Sequence, residues 1–327
     1  MYCFNNIISN IFYIICGLIF IIIVLVSKNH EDKNIYIAIG ITTILEGLFS
    51  ALYHVCPNRS NFQFDTTYMM IGVILMIISY FQKGSNTKII SFFKLYGYMA
   101  LLIMFNTLEL TRIEDNKNSV YWSSVGCLML ISCIYFSANV LFGENNWNLK
   151  NLICCCSYET KEKCNFYNNE NKLILYILIF VNIINWTIYI IAYIYQLHFS
   201  TMILVVLTMN LAVLKIYYFA KKIKNFEKIP AYIWFLLVIS FAFWTGALYF
   251  FMQNTTNKFL TPEQSIEFNS KCVLFDYFDT HDIWHFLSSL GMLNLLLVSW
   301  FINYHTKKVH FIEDVIDILE NDEYDIR

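Results

Sequence analysis

Three histidines and one aspartate are the main candidates for chemistry in this sequence, because each lies at one end of a long apolar stretch. His54 ends the second such stretch, and Glu46, Ser50 and His54 are spaced by four, which places them on one helical stripe. Asp65 opens the third stretch, and the motif His281-Asp282-Ile283-Trp284-His285 opens the last one. Two histidines four apart share one face of a helix. Ionisable residues inside apolar spans are costly, so these positions are candidates for function.

Three imidazoles and a carboxylate suit Zn²⁺, and three histidine ligands with an open position are typical of a catalytic zinc site. We therefore predict His54, His281 and His285 as zinc ligands. Asp65 is predicted to orient or deprotonate a water molecule, with Ser50 as a hydrogen-bonding neighbour. Glu46 and Asp282 are candidates for supporting contacts to the ligands. The alternative is a relay of Asp, Glu and His side chains that carries protons or ions without a metal.

The elements that must position these residues are membrane-spanning helices. The chain has 327 residues, of which 58% are hydrophobic and only 14% charged, against roughly 25% charged in soluble domains. The apolar residues come in continuous blocks of about 20, the length that crosses a bilayer as a helix. We predict an all-α polytopic bundle of nine spans, at about residues 7–27, 34–55, 65–82, 88–108, 120–142, 173–195, 200–220, 230–253 and 281–304.

This topology brings the candidate residues to one side of the membrane. The end of span two and the starts of spans three and nine all lie on the side of the membrane where the N-terminus lies. His54, Asp65, His281 and His285 are therefore predicted near the same membrane face. Loops on that side carry five Lys or Arg residues against fifteen on the other side. By the positive-inside rule the candidate site is extracytoplasmic and the C-terminus is cytoplasmic. The sequons at Asn58 and Asn254 lie on the extracytoplasmic side and predict a glycoprotein.

We expect one membrane domain over residues 1–308, with a cytoplasmic loop at about 143–172, followed by an acidic cytoplasmic tail over residues 309–327. The tail is predicted either as a short amphipathic surface helix or as a frayed end. The net charge of −2 gives no overall basic field for nucleic acid. Cys56 and Cys272 fall on the extracytoplasmic side, where a disulfide would join span two to the loop before span nine; two thiols are the alternative.

Several segments resemble the systemic-RNA-interference-defective (SID) transmembrane family. They are residues 4–10, 46–58, 61–66, 182–186, 261–263, 272–279 and 281–289. The family is grouped with alkaline ceramidases and progestin/adipoQ-type receptors (the CREST superfamily), which share a pattern of Ser-x3-His, an Asp on the next helix, and His-x3-His. The resemblance implies a seven-helix core, zinc on His54, His281 and His285, and a water held by Asp65 and Ser50.

The resemblance also implies a function, namely double-stranded RNA uptake or transport at plasma or lysosomal membranes, with links to cholesterol and other lipids. Family members usually carry a large β-rich ectodomain and two further N-terminal spans, so this chain corresponds to the family from the third span onward. The site itself allows a second function, a zinc-dependent hydrolase of lipid amide or ester bonds such as those of ceramide. A sterol- or lipid-binding receptor is a third, and we expect a homo-oligomer.

Overall fold

The computed structural model describes residues 4–27, 33–56, 59–84, 92–111, 119–142, 169–225, 227–253, 272–275 and 277–324. These residues form mainly α-helices, and no strand occurs in these ranges. The helices are α1 (Phe4–Ser9), α2 (Ile11–Val26), α3 (Lys33–Val55), α4 (Arg59–Gly84), α5 (Phe92–Leu108), α6 (Ser119–Phe142), α7 (Asn169–Ile194), α8 (Phe199–Lys224), α9 (Ala231–Met252) and α10 (Thr280–Tyr324). The predicted all-α polytopic bundle is confirmed.

Each of the nine predicted spans coincides with a described helix. Eight segments are long and apolar enough to cross a membrane, counting α1 and α2 together as Phe4–Val26. The fourth predicted span is shorter, because α5 has 17 residues and residues 85–91 lie outside the described part. Apolar side chains on α2 are exposed at helical spacing, which is the pattern of a lipid-facing surface: Ile11, Ile15, Leu18, Ile22 and Leu25.

The helix boundaries differ from the prediction at two places that concern the site. Helix α4 begins at Arg59, so Asp65 lies in its second turn and not at its first residue. Helix α10 continues to Tyr324 without a break at residues 308 and 309, where the tail was expected to begin. The expected loop over about 143–172 lies almost entirely outside the described residues, as do the acidic side chains of the tail.

The chain divides into two compact units, and the predicted division into a membrane domain over residues 1–308 and a tail over residues 309–327 stays a prediction. The first unit comprises Met1–Leu75 and Ile216–Arg327, and the second comprises Met76–Lys215. Both divisions fall inside long helices, α4 and α8. Because a helix that passes from one unit to the next leaves no Pro/Gly-rich linker in the sequence, the division could not be read from composition.

In the first unit, α2 and α3 approach closely at glycines. A methyl group on Gly17 would lie 2.8 Å from the carbonyl oxygen of Gly40 and 2.7 Å from Cγ1 of Ile44, so only a residue without a side chain fits there. Small residues allow this close packing between membrane helices. Tyr36 of α3 then packs against Trp300 of α10, with ring centroids 4.8 Å apart.

Helices α9 and α10 pack together through the fully buried side chains Ile233, Val298 and Ile302. In the second unit, Trp122 of α6 is buried and packs against Tyr189 and Tyr193 of α7, with centroid distances of 6.0 and 6.2 Å. The Trp122 indole N–H donates to Oε1 of Gln196 at 3.1 Å. Aromatic packing with a satisfied polar edge thus joins these two helices.

Candidate metal centre

The three predicted ligands meet in the first unit. His54 lies in the last turn of α3, and His281 and His285 lie in the first two turns of α10. Nε2 of His54 is 3.1 Å from Nε2 of His281 and 3.3 Å from Nε2 of His285. One ligand atom from each imidazole lies within 4.8 Å of the other two. Two residues that are 227 positions apart in the chain are therefore brought into direct contact.

The spacing of these nitrogens fits a bound zinc ion. Zn–N bonds of about 2.0–2.1 Å in tetrahedral geometry place two nitrogen ligands roughly 3.3–3.4 Å apart, close to the two Nε2 separations around His54. His54 and His285 are buried and His281 is half-buried. Because an imidazole Nε2 offers either one proton or one lone pair, His54 Nε2 cannot donate to both neighbours. A cation at the point of convergence would satisfy all three nitrogens at once.

Helix geometry explains why the pair on α10 faces inward. Residues i and i+4 lie on one face of a helix, and Trp284 packs against the imidazole of His285 with ring centroids 4.5 Å apart. The N-terminus of α10 is fixed by a reciprocal pair of hydrogen bonds. The Asp282 backbone N–H donates to Oδ1 of Asp279 at 3.0 Å, and the Asp279 N–H donates to Oδ2 of Asp282 at 3.0 Å. This is a capping box formed by two aspartates.

The predicted water-holding residues lie on α3 and α4, within the same unit. Ser50 is buried, one helical turn before His54. Asp65 is also buried, and its carboxyl is an electrostatic neighbour of the carboxyl of Glu46 and of the ring hydroxyl of Tyr53. The converging ligand atoms are those of the three histidines. Its role as a base and the role of Ser50 stay predictions.

The two candidates for supporting contacts have different surroundings. Glu46 lies two turns before His54 on α3, and its buried carboxyl faces the carboxyl of Asp65 on α4. Asp282 is fully buried, and its carboxylate is directed toward the α10 N-terminus and toward α1 rather than toward the imidazoles. Asp282 therefore acts on the geometry of the helix, whereas Glu46 is paired with Asp65, and its supporting role stays a prediction.

Sequence reasoning missed the contribution of α2. The Tyr13 hydroxyl forms a 2.6 Å hydrogen bond with Oγ of Ser288, and the Tyr13 ring lies edge-on to His285 with centroids 6.0 Å apart. Ser288 Oγ in turn donates to the carbonyl of Trp284 at 2.6 Å. A single tyrosine in an apolar span gives no signal in the sequence. Ser288 follows His285 by three positions, so its place on the same face was open to prediction.

The disulfide considered between Cys56 and Cys272 is not formed in the structure. Both side chains are exposed thiols. The Cys272 thiol is held within its own turn, where Sγ lies 3.4 Å from the carbonyl oxygen of Tyr277. The sequon asparagines at positions 58 and 254 lie outside the described residues.

The fold and this cluster define a class: a polytopic helical membrane protein with a three-histidine site at the end of one helix and the start of another. The family model described as "dsRNA-gated channel SID-1" matches residues 1–310. The chain belongs to this SID-1 family.

Individual relatives agree with this assignment. The chain is 30% identical over 319 residues to the human "SID1 transmembrane family member 1", with 90% of this chain and 38% of the relative covered. The mouse protein of the same name is 31% identical over 319 residues, with the same coverage. "Cholesterol uptake protein 1" of Caenorhabditis elegans is 25% identical over 313 residues, covering 88% of this chain and 41% of the relative. The chain thus spans well under half the length of the curated relatives it matches.

Proposed function

We propose that this chain is a SID-type membrane transport domain that holds a zinc ion through His54, His281 and His285. The observation that supports this proposal is the convergence of the three ligand atoms within the residues that match the family. Three neutral imidazoles prefer zinc over hard cations such as magnesium and calcium. Metal analysis of the purified protein beside His285→Ala is the test. We expect one zinc per chain, lost in the variant; wild-type protein without metal would contradict the proposal.

The cargo that we propose is double-stranded RNA, because the matching family is described as a dsRNA-gated channel. The experiment is uptake of labelled double-stranded RNA by cells that express this chain. We expect uptake above that of cells without the chain. Uptake that persists in His281→Ala would show that transport does not need the metal. No uptake by the wild type would show that this chain alone does not transport RNA.

A second candidate function is hydrolysis of an amide or ester bond in a membrane lipid such as ceramide. It is favoured by the buried carboxyl pair of Glu46 and Asp65 in the same unit as the histidine cluster. Bound zinc would supply a Lewis acid that polarises a carbonyl and lowers the pKa of water. Asp65 would accept the proton of the attacking water, and Ser50 would orient that water by a hydrogen bond.

This enzymatic proposal is tested by release of fatty acid from ceramide or phospholipid. Asp65→Asn keeps the shape of the side chain but removes the base. We expect turnover to fall by about 10²–10⁴-fold, while the zinc content stays at the wild-type level. Turnover that survives the substitution would exclude Asp65 as the base, and absence of lipid hydrolysis by the wild type would exclude the enzyme.

The membrane lipid could itself be the ligand, since one relative is named a cholesterol uptake protein. Crosslinking with a photoactivatable cholesterol, competed by unlabelled sterol, tests this. The resemblance to the SID family supports residence in the plasma or lysosomal membrane. The charge bias of the loops supports an extracytoplasmic site and a cytoplasmic C-terminus. Epitope accessibility in intact and permeabilised cells tests the orientation.

We also propose a homo-oligomer, which light scattering of the purified protein tests.

A further inference from the structure

Asp282 is a buried acidic residue that lies between the two histidines of α10 in the sequence, with its carboxylate directed away from them toward α1. Asp282 is 0% exposed, and it follows His281 by one position and precedes His285 by three. A buried carboxylate is tolerated only when its oxygens are paired and hydrogen-bonded. The capping box supplies one donor, the Asp279 backbone N–H. The other donors come from a different helix.

Helix α1 provides those donors through two consecutive asparagines. Nδ2 of Asn5 donates to Oδ2 of Asp282 at 2.9 Å. The Asn6 amide, oriented with its nitrogen toward the carboxylate as the surrounding hydrogen bonds require, donates to Oδ1 of Asp282 at 2.9 Å. Both carboxylate oxygens thus accept hydrogen bonds from α1, and hydrogen bonds to a charged acceptor are roughly twice as strong as neutral ones.

The asparagines are themselves held in place. The side chains of Ser9 and Asn10 donate to the backbone carbonyl of Asn6 at 3.0 and 2.8 Å. Asn5 also donates to the carbonyl of Tyr277, at 3.3 Å, in the turn that precedes α10. Helix α1 packs against α3 as well as α10, so the same short helix contacts both helices that carry the three histidines.

We propose that Asn5 and Asn6 are positioning residues of the metal site, which set the rotation of the first turn of α10 through Asp282. The inference rests on the proposed zinc site. A side-chain tip lies about 6 Å from the helix axis, so a rotation of roughly 10° moves it by about 1 Å. Metal–ligand distances are held to about 0.2 Å. Small rotations of α10 therefore decide whether His281 and His285 reach the ion that His54 binds.

The test is the zinc affinity of the full chain in detergent, measured by competition with a chromophoric chelator, together with the visible absorption of the Co²⁺-loaded protein. Asn6→Ala should weaken zinc binding about tenfold, the lower end of the cost of losing an outer-shell partner, and change the Co²⁺ spectrum. Asn6→Asp should weaken it further, because two carboxylates would face each other. The double variant Asn6→Asp/Asp282→Asn should recover part of that loss by restoring a donor–acceptor pair.

Asn294→Ala is the matched control. Asn294 lies on α10, the helix that carries Asp282, and its amide donates within that helix to the carbonyl of Leu290 at 2.8 Å. It should leave zinc affinity and the Co²⁺ spectrum unchanged. If wild type binds zinc but both Asn6 variants match it, or if the control weakens binding equally, the positioning role is wrong and the zinc site stands. If wild type binds no zinc, both proposals fall.

Should the Asn6 variants not fold, Asn5→Ala replaces them. Asn5 is only part-buried, and its removal leaves the Asn6–Asp282 pair in place. Reduced zinc affinity with an unchanged thermal midpoint of the metal-free protein supports the inference. Unchanged affinity in a folded Asn5→Ala protein overturns it.

Discussion

Each of the two units contains a buried glutamate, and the two glutamates have different hydrogen-bonding partners. In the second unit, Oε1 of Glu109 accepts from the backbone N–H of Phe199 at 3.1 Å and lies 3.0 Å from Nδ1 of His198. It thereby satisfies the N-terminus of α8, where backbone donors lack helical partners. In the first unit, the carboxyl of Glu46 instead faces a second buried carboxyl, that of Asp65.

The difference separates stability from function. A buried carboxyl whose oxygens are occupied by the protein stabilises the fold, as Glu109 does. Two buried carboxyls that face each other cost free energy because they cannot both be ionised easily, and such a cost persists at sites that serve a ligand or a reaction. The same contrast holds for the histidines, since His198 is partnered by a carboxylate and His54 by two other imidazoles.

The largest expected effect separates His54 from His198. His54→Ala removes the imidazole that contacts both others, so zinc affinity should fall by more than the roughly 100-fold that an outer-shell partner costs. His198→Ala should leave zinc affinity unchanged, because His198 lies in the second unit. Isothermal titration with zinc measures both. Equal losses in the two variants would contradict the assignment of the site to the first unit.

The next effect distinguishes the two glutamates. Glu109→Ala leaves the Phe199 N–H without its acceptor and should lower the free energy of unfolding by about 1–3 kcal/mol. Glu46→Met, which replaces one of two facing buried carboxyls by an apolar group of similar size, should leave the stability of the metal-free protein unchanged or raise it. Unfolding followed by circular dichroism gives both values. A Glu46→Met protein that is less stable than Glu109→Ala would reverse the interpretation.

The smallest effect concerns an ion pair near the end of α8. Nζ of Lys222 lies 2.6 Å from Oε2 of Glu227, whose side chain is 33% exposed. Partly exposed ion pairs contribute about 0–1 kcal/mol, and salt screens them. Glu227→Gln should therefore change the unfolding free energy by less than Glu109→Ala does. The effect of Glu227→Gln should become smaller in high salt. If Glu227→Gln lowers the free energy of unfolding by more than Glu109→Ala does, the exposed fraction of a side chain does not predict the contribution of its ion pair in this protein.

Much of the fold was predictable because a membrane-spanning helix has a strong hydropathy signal in the sequence. A block of about 20 apolar residues has few alternatives to a transmembrane helix, and all nine predicted positions are helical. Boundaries were less predictable, since α4 begins at Arg59 and α10 continues to Tyr324. Polar residues can extend a helix beyond the apolar core, so hydropathy alone does not mark where a helix ends.

The site was predictable in its ligands but not in its support. His54 and the pair His281 and His285 stood out because ionisable residues are rare in apolar spans and because i,i+4 spacing fixes a common face. The contacts of Tyr13 with Ser288, and of Asn5 and Asn6 with Asp282, join positions more than 270 residues apart. A single hydroxyl or amide in a span carries no pattern that identifies its partner.

The sequence by itself determined the class of fold and the positions of the apolar helices, because these depend on local hydropathy. Only the tertiary structure decided that the three imidazoles touch and that Asp282 turns toward α1. Those outcomes depend on how helices rotate and pack against one another, and the free energy that sets rotation comes from contacts between residues far apart in the chain.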